Sequence, residues 1–171
     1  MQNNTAQQDP RSRLSLTNPV HLLAVGFGSG LLRPAPGTWG SLAATLIGAA
    51  LLQIMPLKIF LFFTALCFVA GCFICQKTAD DMGVHDHGAI VWDEFVGIFI
   101  VLGFLPEVNW LLCITGFVVF RFFDILKPYP IRYFDRKLKS GFGIMIDDVL
   151  AAIYSIITIY LLFYILLEIF L

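Results

Sequence analysis

Four apolar blocks alternate along the chain with short polar or glycine-rich segments. Residues 1–18 are polar and read as a flexible tail that ends at the Asn18-Pro19 turn signal. Residues 20–41, VHLLAVGFGSGLLRPAPGTWGS, are too broken by Gly and Pro for a spanning helix and too apolar for a plain linker. Residues 42–56 run from Ser41, a predicted N-cap, to Pro56. Residues 59–75 are the cleanest uninterrupted run. Residues 95–123 hold two apolar arms joined by a turn at Pro106-Glu107-Val108-Asn109, and residues 149–171 form the longest run, broken only by Glu168. A straight helix needs about 20 residues to cross a bilayer. The first block and the two arms fall short of that, so they borrow flanking residues or re-enter. The pattern predicts an all-α polytopic membrane bundle of four or five apolar helices, with residues 1–19 as a tail and 20–171 as the membrane-embedded domain.

Composition strengthens this reading. Hydrophobic residues make up 58% of the 171 positions and charged residues 13%, against about 45–50% and 25% in ordinary globular domains. Mean hydropathy is +0.84, more apolar surface than a soluble chain of this size can bury. The net charge of −1 argues against a nucleic-acid partner. Residues 1–20 contain no apolar h-region, so no cleavable signal peptide is expected. Cys67, Cys72, Cys75 and Cys113 all lie in apolar runs. Cys72 and Cys75 form a CxxC, but a zinc or redox site needs polar, accessible surroundings, and all four read as small packing residues.

The sign of charge orients the blocks. Arg121, Lys127, Arg132, Arg136, Lys137 and Lys139 crowd residues 121–139, and Arg11, Arg13 and Arg33 lie near the N-terminus, whereas the turns at 56–58 and 106–109 carry only Lys58 and Glu107. By the positive-inside rule the N-terminus, segment 77–94 and segment 121–148 face the cytoplasm. The Gly/Pro-rich stretch and every acidic cluster except Glu107 and Glu168 then fall on one side of the membrane.

Three constellations carry candidate chemistry: Asp93-Glu94 in AIVWDEFVGIFIV, Arg121, Asp124 and Lys127 in RFFDILKPYPI, and Asp147-Asp148 in GFGIMIDDVLAA where the last helix is expected to begin. One Asp at the centre of a membrane helix costs roughly 2.5–3.5 kcal/mol. Five such carboxylates would cost on the order of 12–17 kcal/mol, comparable to the whole stability of a domain at about 5–15 kcal/mol. Arg121 and Lys127, at i±3 from Asp124, can share its helix face but cannot neutralise all five. A hard divalent ion such as Mg²⁺ can, and it also bridges to substrate phosphates. Each constellation has a plainer reading: Asp147-Asp148 as complement to a helix dipole, Asp124 locked in ion pairs, Asp93-Glu94 hydrated among headgroups. In the Gly/Pro-rich stretch, Gly26, Gly28 and Gly30 followed by Pro36-Gly37-Thr38 suit close approach to a phosphate, or else a tight surface turn capped by Thr38 or Ser41. His85 and His87, beside Asp80, Asp81 and Asp86, read as a solvated loop. Trp39, Trp92, Trp110 and Tyr129 read as interfacial anchors.

The runs GFGSGLLRPAPGTWGS, HDHGAIVWDEFVG, FRFFDILKPYPIRYFD and GFGIMIDDVLAA, in that order, resemble the phosphatidylglycerophosphatase A family over roughly residues 20–155. The resemblance implies an all-helical, Mg²⁺-dependent enzyme of the bacterial inner membrane that converts phosphatidylglycerophosphate to phosphatidylglycerol and phosphate in phospholipid biosynthesis. Asp93, Glu94, Asp124 and Asp148 are then the expected catalytic residues, with Asp147 joining them as metal ligands. Gly28, Gly30, Thr38, Arg121 and Lys127 are the expected substrate contacts. One carboxylate free of metal orients the attacking water or acts as nucleophile. No Cys-x5-Arg loop, no DxDx(T/V) motif and no spaced aspartate motif of a CDP-alcohol transferase is present. The rival reading is a cation or proton-coupled transporter, since acids in membrane helices also mark ion pathways. Against it stand the one-sided placement of the acids and the lack of an internal repeat.

Overall fold

The computed structural model describes residues 9–170, and every described element is helical. Residues 1–8 of the expected tail lie outside the described residues. Asp9 caps a short 3-10 turn over Pro10–Arg13, accepting from the Arg11 N–H, and the Arg13 guanidinium donates to the Met82 carbonyl. Helix α1 (Pro19–Ala24) starts at Asn18, whose side chain accepts from Val20 N–H. Buried His21 accepts at Nδ1 from the Ser15 N–H and donates from Nε2 to Asp81 at 3.0 Å, tying this segment to the third helix. A 3-10 segment at Gly26–Leu31 leads to α2 (Pro36–Ile54). Then come α3 (Leu57–Met82), α4 (Trp92–Gly103), α5 (Trp110–Leu126), the short α6 (Ile131–Lys137) and α7 (Gly141–Phe170).

Among the described residues, three helices are long and apolar enough to cross a membrane: Pro36–Ile54, Leu57–Met82 and the Gly141–Ile165 part of α7. Their outward faces are apolar, with Ile54, Phe62, Phe73 and Ile157 exposed, as lipid contact requires. The two arms expected within 95–123 are the short helices α4 and α5, of 12 and 17 residues. At 1.5 Å per residue α4 is about 18 Å long, well under a bilayer core. It does not face lipid but forms the centre of the bundle, packed against α2, α3, α5 and α7. Phe95, Phe99 and Leu102 meet Ala44, Phe60, Phe120 and Ala151 on one flank, and Trp92 and Val96 meet Cys75, Met82 and Met145 on the other. A helix that is hydrophobic all round belongs in such a position.

Several boundaries differ from the sequence reading. Helix α2 begins at Pro36, after Ala35 in the left-handed region (φ 58°), so Ser41 is not its cap. Ser41 Oγ instead donates back to the Gly37 carbonyl at 2.8 Å, inside the helix. The proline at N1 supplies the start that Ser41 was expected to give. Helix α7 begins at Gly141, six residues before Asp147. Trp92 is not an interfacial anchor: it is 7% exposed, stacked on Phe95, and its Nε1 donates to the Cys67 carbonyl at 3.1 Å. Trp39, Trp110 and Tyr129 are exposed. Cys67, Cys75 and Cys113 are buried and all four cysteines are free thiols.

Candidate active site

The chain runs up and down so that the first turns of α2 and α4, the end of α5 and the early turns of α7 meet at one end of the bundle. A cleft of about 390 Å³ opens there, lined by Asp86, Asp93, Glu94, Asp124, Asp147 and Asp148 together with Arg121 and Lys127. The five carboxylates and two cations singled out from sequence therefore converge, from three helices and the residue that ends one of them. Six carboxylates face two cations, which leaves four negative charges uncompensated if all are ionised.

Placement within the helices decides between the plainer readings and a site. Asp147 and Asp148 lie about two turns inside α7, beyond the reach of the N-terminal dipole, which acts over the first turn. They are 5% and 2% exposed, so they are not hydrated either. Asp93 and Glu94 do lie in the first turn of α4, where the dipole favours them, but Glu94 is buried at 9% exposure. Asp124 is ion-paired with Arg121, as the spacing predicts, and Arg121 also lies 3.5 Å from Glu94 Oε1 and 3.4 Å from Ser41 Oγ.

Lys127 departs from expectation. It sits at the C-cap of α5 in the left-handed region (φ 42°), which turns it away from Asp124. Its ammonium binds Asp135 of α6 and Asp147 of α7 instead. Burial pushes this ammonium down, but the carboxylates of Asp147 and Asp135 more than reverse that and hold it well above the ordinary lysine value. It is a fixed positive charge.

Asp93, Glu94 and Asp148 each offer an oxygen within 4.8 Å of the others. Asp93 Oδ1, Glu94 Oε2 and Asp148 Oδ2 are buried without a hydrogen-bond partner, as are Asp147 Oδ1 and Arg121 Nε. Buried unpaired oxygens of like charge are unstable alone. A hard divalent cation satisfies them, and an all-carboxylate set suits Mg²⁺ better than a softer metal. The residues therefore fit the ion that the clustered acids imply.

The glycine-rich stretch meets the cleft at Gly37, which the sequence places in the Pro36-Gly37-Thr38 run but not among the expected substrate contacts. Gly28 and Gly30 do not line it: both N–H groups donate to the Val25 carbonyl at 3.0 Å, and Gly30 is packed on Ala89 and Val91. Thr38 lies in the first turn of α2 and is also not among the lining residues. Gly37 is. A Cβ there would meet Glu94 Oε1 at 2.4 Å and both terminal nitrogens of Arg121 at 3.1 Å, so glycine is what lets α2 approach the acidic centre. Asp86 and Asp135 were also missed as site residues. Asp86 had been grouped with a solvated loop, and Asp135 lies in a strongly basic segment that hides it.

A sequence profile described as Phosphatidylglycerophosphatase A matches residues 22–163. The Phosphatidylglycerophosphatase A of Haemophilus influenzae is 66% identical over 154 residues, covering 90% of this chain and 94% of the relative. The chain belongs to the phosphatidylglycerophosphatase A family. The Escherichia coli K12 protein of that name is 51% identical over 145 residues, 85% of this chain and 84% of the relative. A Bacteroides thetaiotaomicron protein, described as a candidate phosphatidylinositol-3-phosphatase, is 40% identical over 145 residues, 81% of this chain and 89% of the relative. No solved structure matches the chain. Membership makes the chain one of a family of phosphatases and gives the transporter reading no support. It also unites the four motifs with the cleft, because the matched residues span every residue that lines it.

Proposed function

We propose that this chain is an Mg²⁺-dependent lipid phosphatase that hydrolyses the terminal monoester of phosphatidylglycerophosphate, giving phosphatidylglycerol and phosphate for phospholipid biosynthesis. The observation that carries the reading is the convergence of Asp93, Glu94 and Asp148, with unpartnered buried oxygens, beside the Arg121 guanidinium. The cleft opens at the bundle end that also bears the basic segment 121–139, which supports a cytoplasmic-facing site in the inner membrane.

Asp93, Glu94 and Asp148 would hold the ion, and bound Mg²⁺ would polarise the terminal phosphate and offset charge developing on its oxygens. Arg121 is held by Asp124 through one terminal nitrogen and keeps a buried, unpartnered Nε–H for a phosphate oxygen. Lys127 holds one oxygen of Asp147, and the other, Oδ1, is free to orient a water and accept its proton. The water oxygen bonds to phosphorus, the bond from phosphorus to the glycerol oxygen breaks, and the released glycerol hydroxyl takes its proton from solvent. Asp124 acts through Arg121, as a positioning residue.

The test is phosphate release by the purified chain from phosphatidylglycerophosphate, with and without EDTA, alongside a phosphatidylinositol 3-phosphate arm prompted by the Bacteroides relative's description. Release that EDTA abolishes and Mg²⁺ restores is expected. Near-normal release from D93N, D124N and D148N alike would remove the proposed centre.

A further inference from the structure

Beside the cleft lies a second opening of about 390 Å³, formed by α6 and the turn before it. Its residues are Lys127, Pro128, Tyr129, Arg132, Tyr133, Arg136 and Lys137, and Lys127 also lines the acidic cleft. The two openings are therefore neighbours with opposite charge. Lys127 is committed to Asp135 and Asp147, but Arg132, Arg136 and Lys137 are exposed and have no carboxylate within salt-bridge distance among the described residues. Lys137 lies over the Tyr133 ring, 4.7 Å from its centroid, and donates to the Tyr133 hydroxyl. Arg132 reaches only the Leu126 carbonyl, at 3.3 Å. The floor is largely apolar ring and aliphatic stem, and Tyr129 is 81% exposed beside it. An apolar floor with uncompensated cations at its edge is built for an anion that carries a hydrocarbon body.

Resting on the functional reading above, we propose that this groove is the subsite for the phosphodiester of the lipid whose terminal monoester occupies the cleft. The substrate's headgroup carries two phosphates separated by one glycerol, and the two openings are joined through one residue. The cleft's excess of carboxylates would repel an unshielded diester, whereas the groove's three unpaired cations would attract it. The groove thereby selects lipids with a second phosphate next to the scissile one. It also retains the product, which keeps the diester and loses the monoester.

The experiment uses the full chain in phosphatidylcholine nanodiscs containing phosphatidylglycerophosphate, so that the substrate is the only anionic lipid before turnover. R132Q/R136Q/K137Q is expected to raise KM roughly tenfold while kcat changes less than about twofold. Inhibition by dihexanoyl phosphatidylglycerol, which has the diester alone, should weaken by a similar factor. Inhibition by inorganic phosphate should not change. The charge-keeping R132K/R136K should restore KM, and failure to do so would make the groove structural and overturn the proposal. An unchanged KM in the triple variant overturns it too, as does an equal weakening towards inorganic phosphate. So does a defect seen only when phosphatidylserine is added, which would make the groove a contact for bulk anionic lipid. If the unmodified chain releases no phosphate from phosphatidylglycerophosphate, the functional reading falls and this inference with it. Release together with an unaltered KM in the variant removes the groove alone.

Discussion

The two walls of the cleft hold their carboxylates by different means. On the α5–α6 side, joined by Asp147 of α7, each acid has a cation: Asp124 has Arg121, and Asp135 and Asp147 share Lys127. On the α4–α7 side Asp93 and Asp148 have none, and Glu94 has only a 3.5 Å approach to Arg121 that leaves Oε2 bare. In the first wall every acid has a cation as the chain folds, with Asp147 Oδ1 and Arg121 Nε left unpartnered towards the cleft. The second is a cluster of like charges that burial makes costly, and it is completed only by something positive from outside. One wall is scaffold that also presents Arg121 Nε and Asp147 Oδ1 to the substrate, and the other is a binding site for a cation.

Replacing the bare wall should therefore abolish activity without harming the metal-free fold. D93N or D148N is expected to lower kcat/KM on the order of 10³-fold. Thermal unfolding in EDTA should be unchanged or slightly raised, because a like charge has gone. Mg²⁺ at about a hundred times its Kd should stabilise the unmodified chain by about 2.7 kcal/mol and these variants by much less. Equal Mg²⁺ stabilisation of D93N and the unmodified chain would break the contrast between the walls. The scaffold wall should respond in the opposite sense. R121Q removes a phosphate donor and strands Asp124, so it should cost roughly 10²-fold in kcat/KM and also lower the melting temperature in EDTA. Loss of activity with an unaltered melting temperature would show that Asp124 does not depend on Arg121.

A smaller effect is expected from Lys127, which stands at the junction of scaffold, cleft and groove. K127M frees Asp147 and Asp135 from their shared cation. A fall in kcat of about tenfold is expected, from the loss of one fixed positioning contact, together with a lower melting temperature. A change in KM alone would assign Lys127 to the groove and not to Asp147.

The acids were legible in the sequence because membrane-embedded carboxylates are expensive wherever they occur, so clustering alone points to function. All five did converge. The helix register was less legible. Pro36 reads as a breaker by composition, but with Ala35 in the left-handed region it becomes N1 of α2. The glycine-containing apolar residues 141–146 read as a lead-in to α7 and are its first turns, packed on α3 at Cys72 and Gln76. Tertiary contact overrode local propensity in both cases. The central position of α4 could not be read from hydropathy, which scores a buried helix and a lipid-facing one alike. Lys127 is the instructive pair error. Its i+3 spacing from Asp124 predicts a shared face only while the helix continues, and α5 ends at Leu126.

The smallest expected effects come from two glycines that look equivalent in sequence. At Gly37 an added Cβ collides with Glu94 Oε1 and crowds Arg121, while the backbone has ordinary helical freedom. At Gly28 no atom lies within 4 Å of that Cβ, but φ is +99°. The first substitution is a problem of space at the meeting of the two walls, and the second a problem of backbone conformation away from them. G37A should lower kcat by about threefold, because a displaced carboxylate misplaces the reacting groups, with a modest change in melting temperature. G28A should cost about 1–2 kcal/mol of stability and leave kcat within about twofold, since Gly28 N–H is already bonded to Val25 and faces no ligand. Measuring both kcat and unfolding for the pair separates the cases. A large kcat loss in G28A at unchanged stability would return the phosphate contact to the Gly26–Gly30 loop and move the substrate away from α2.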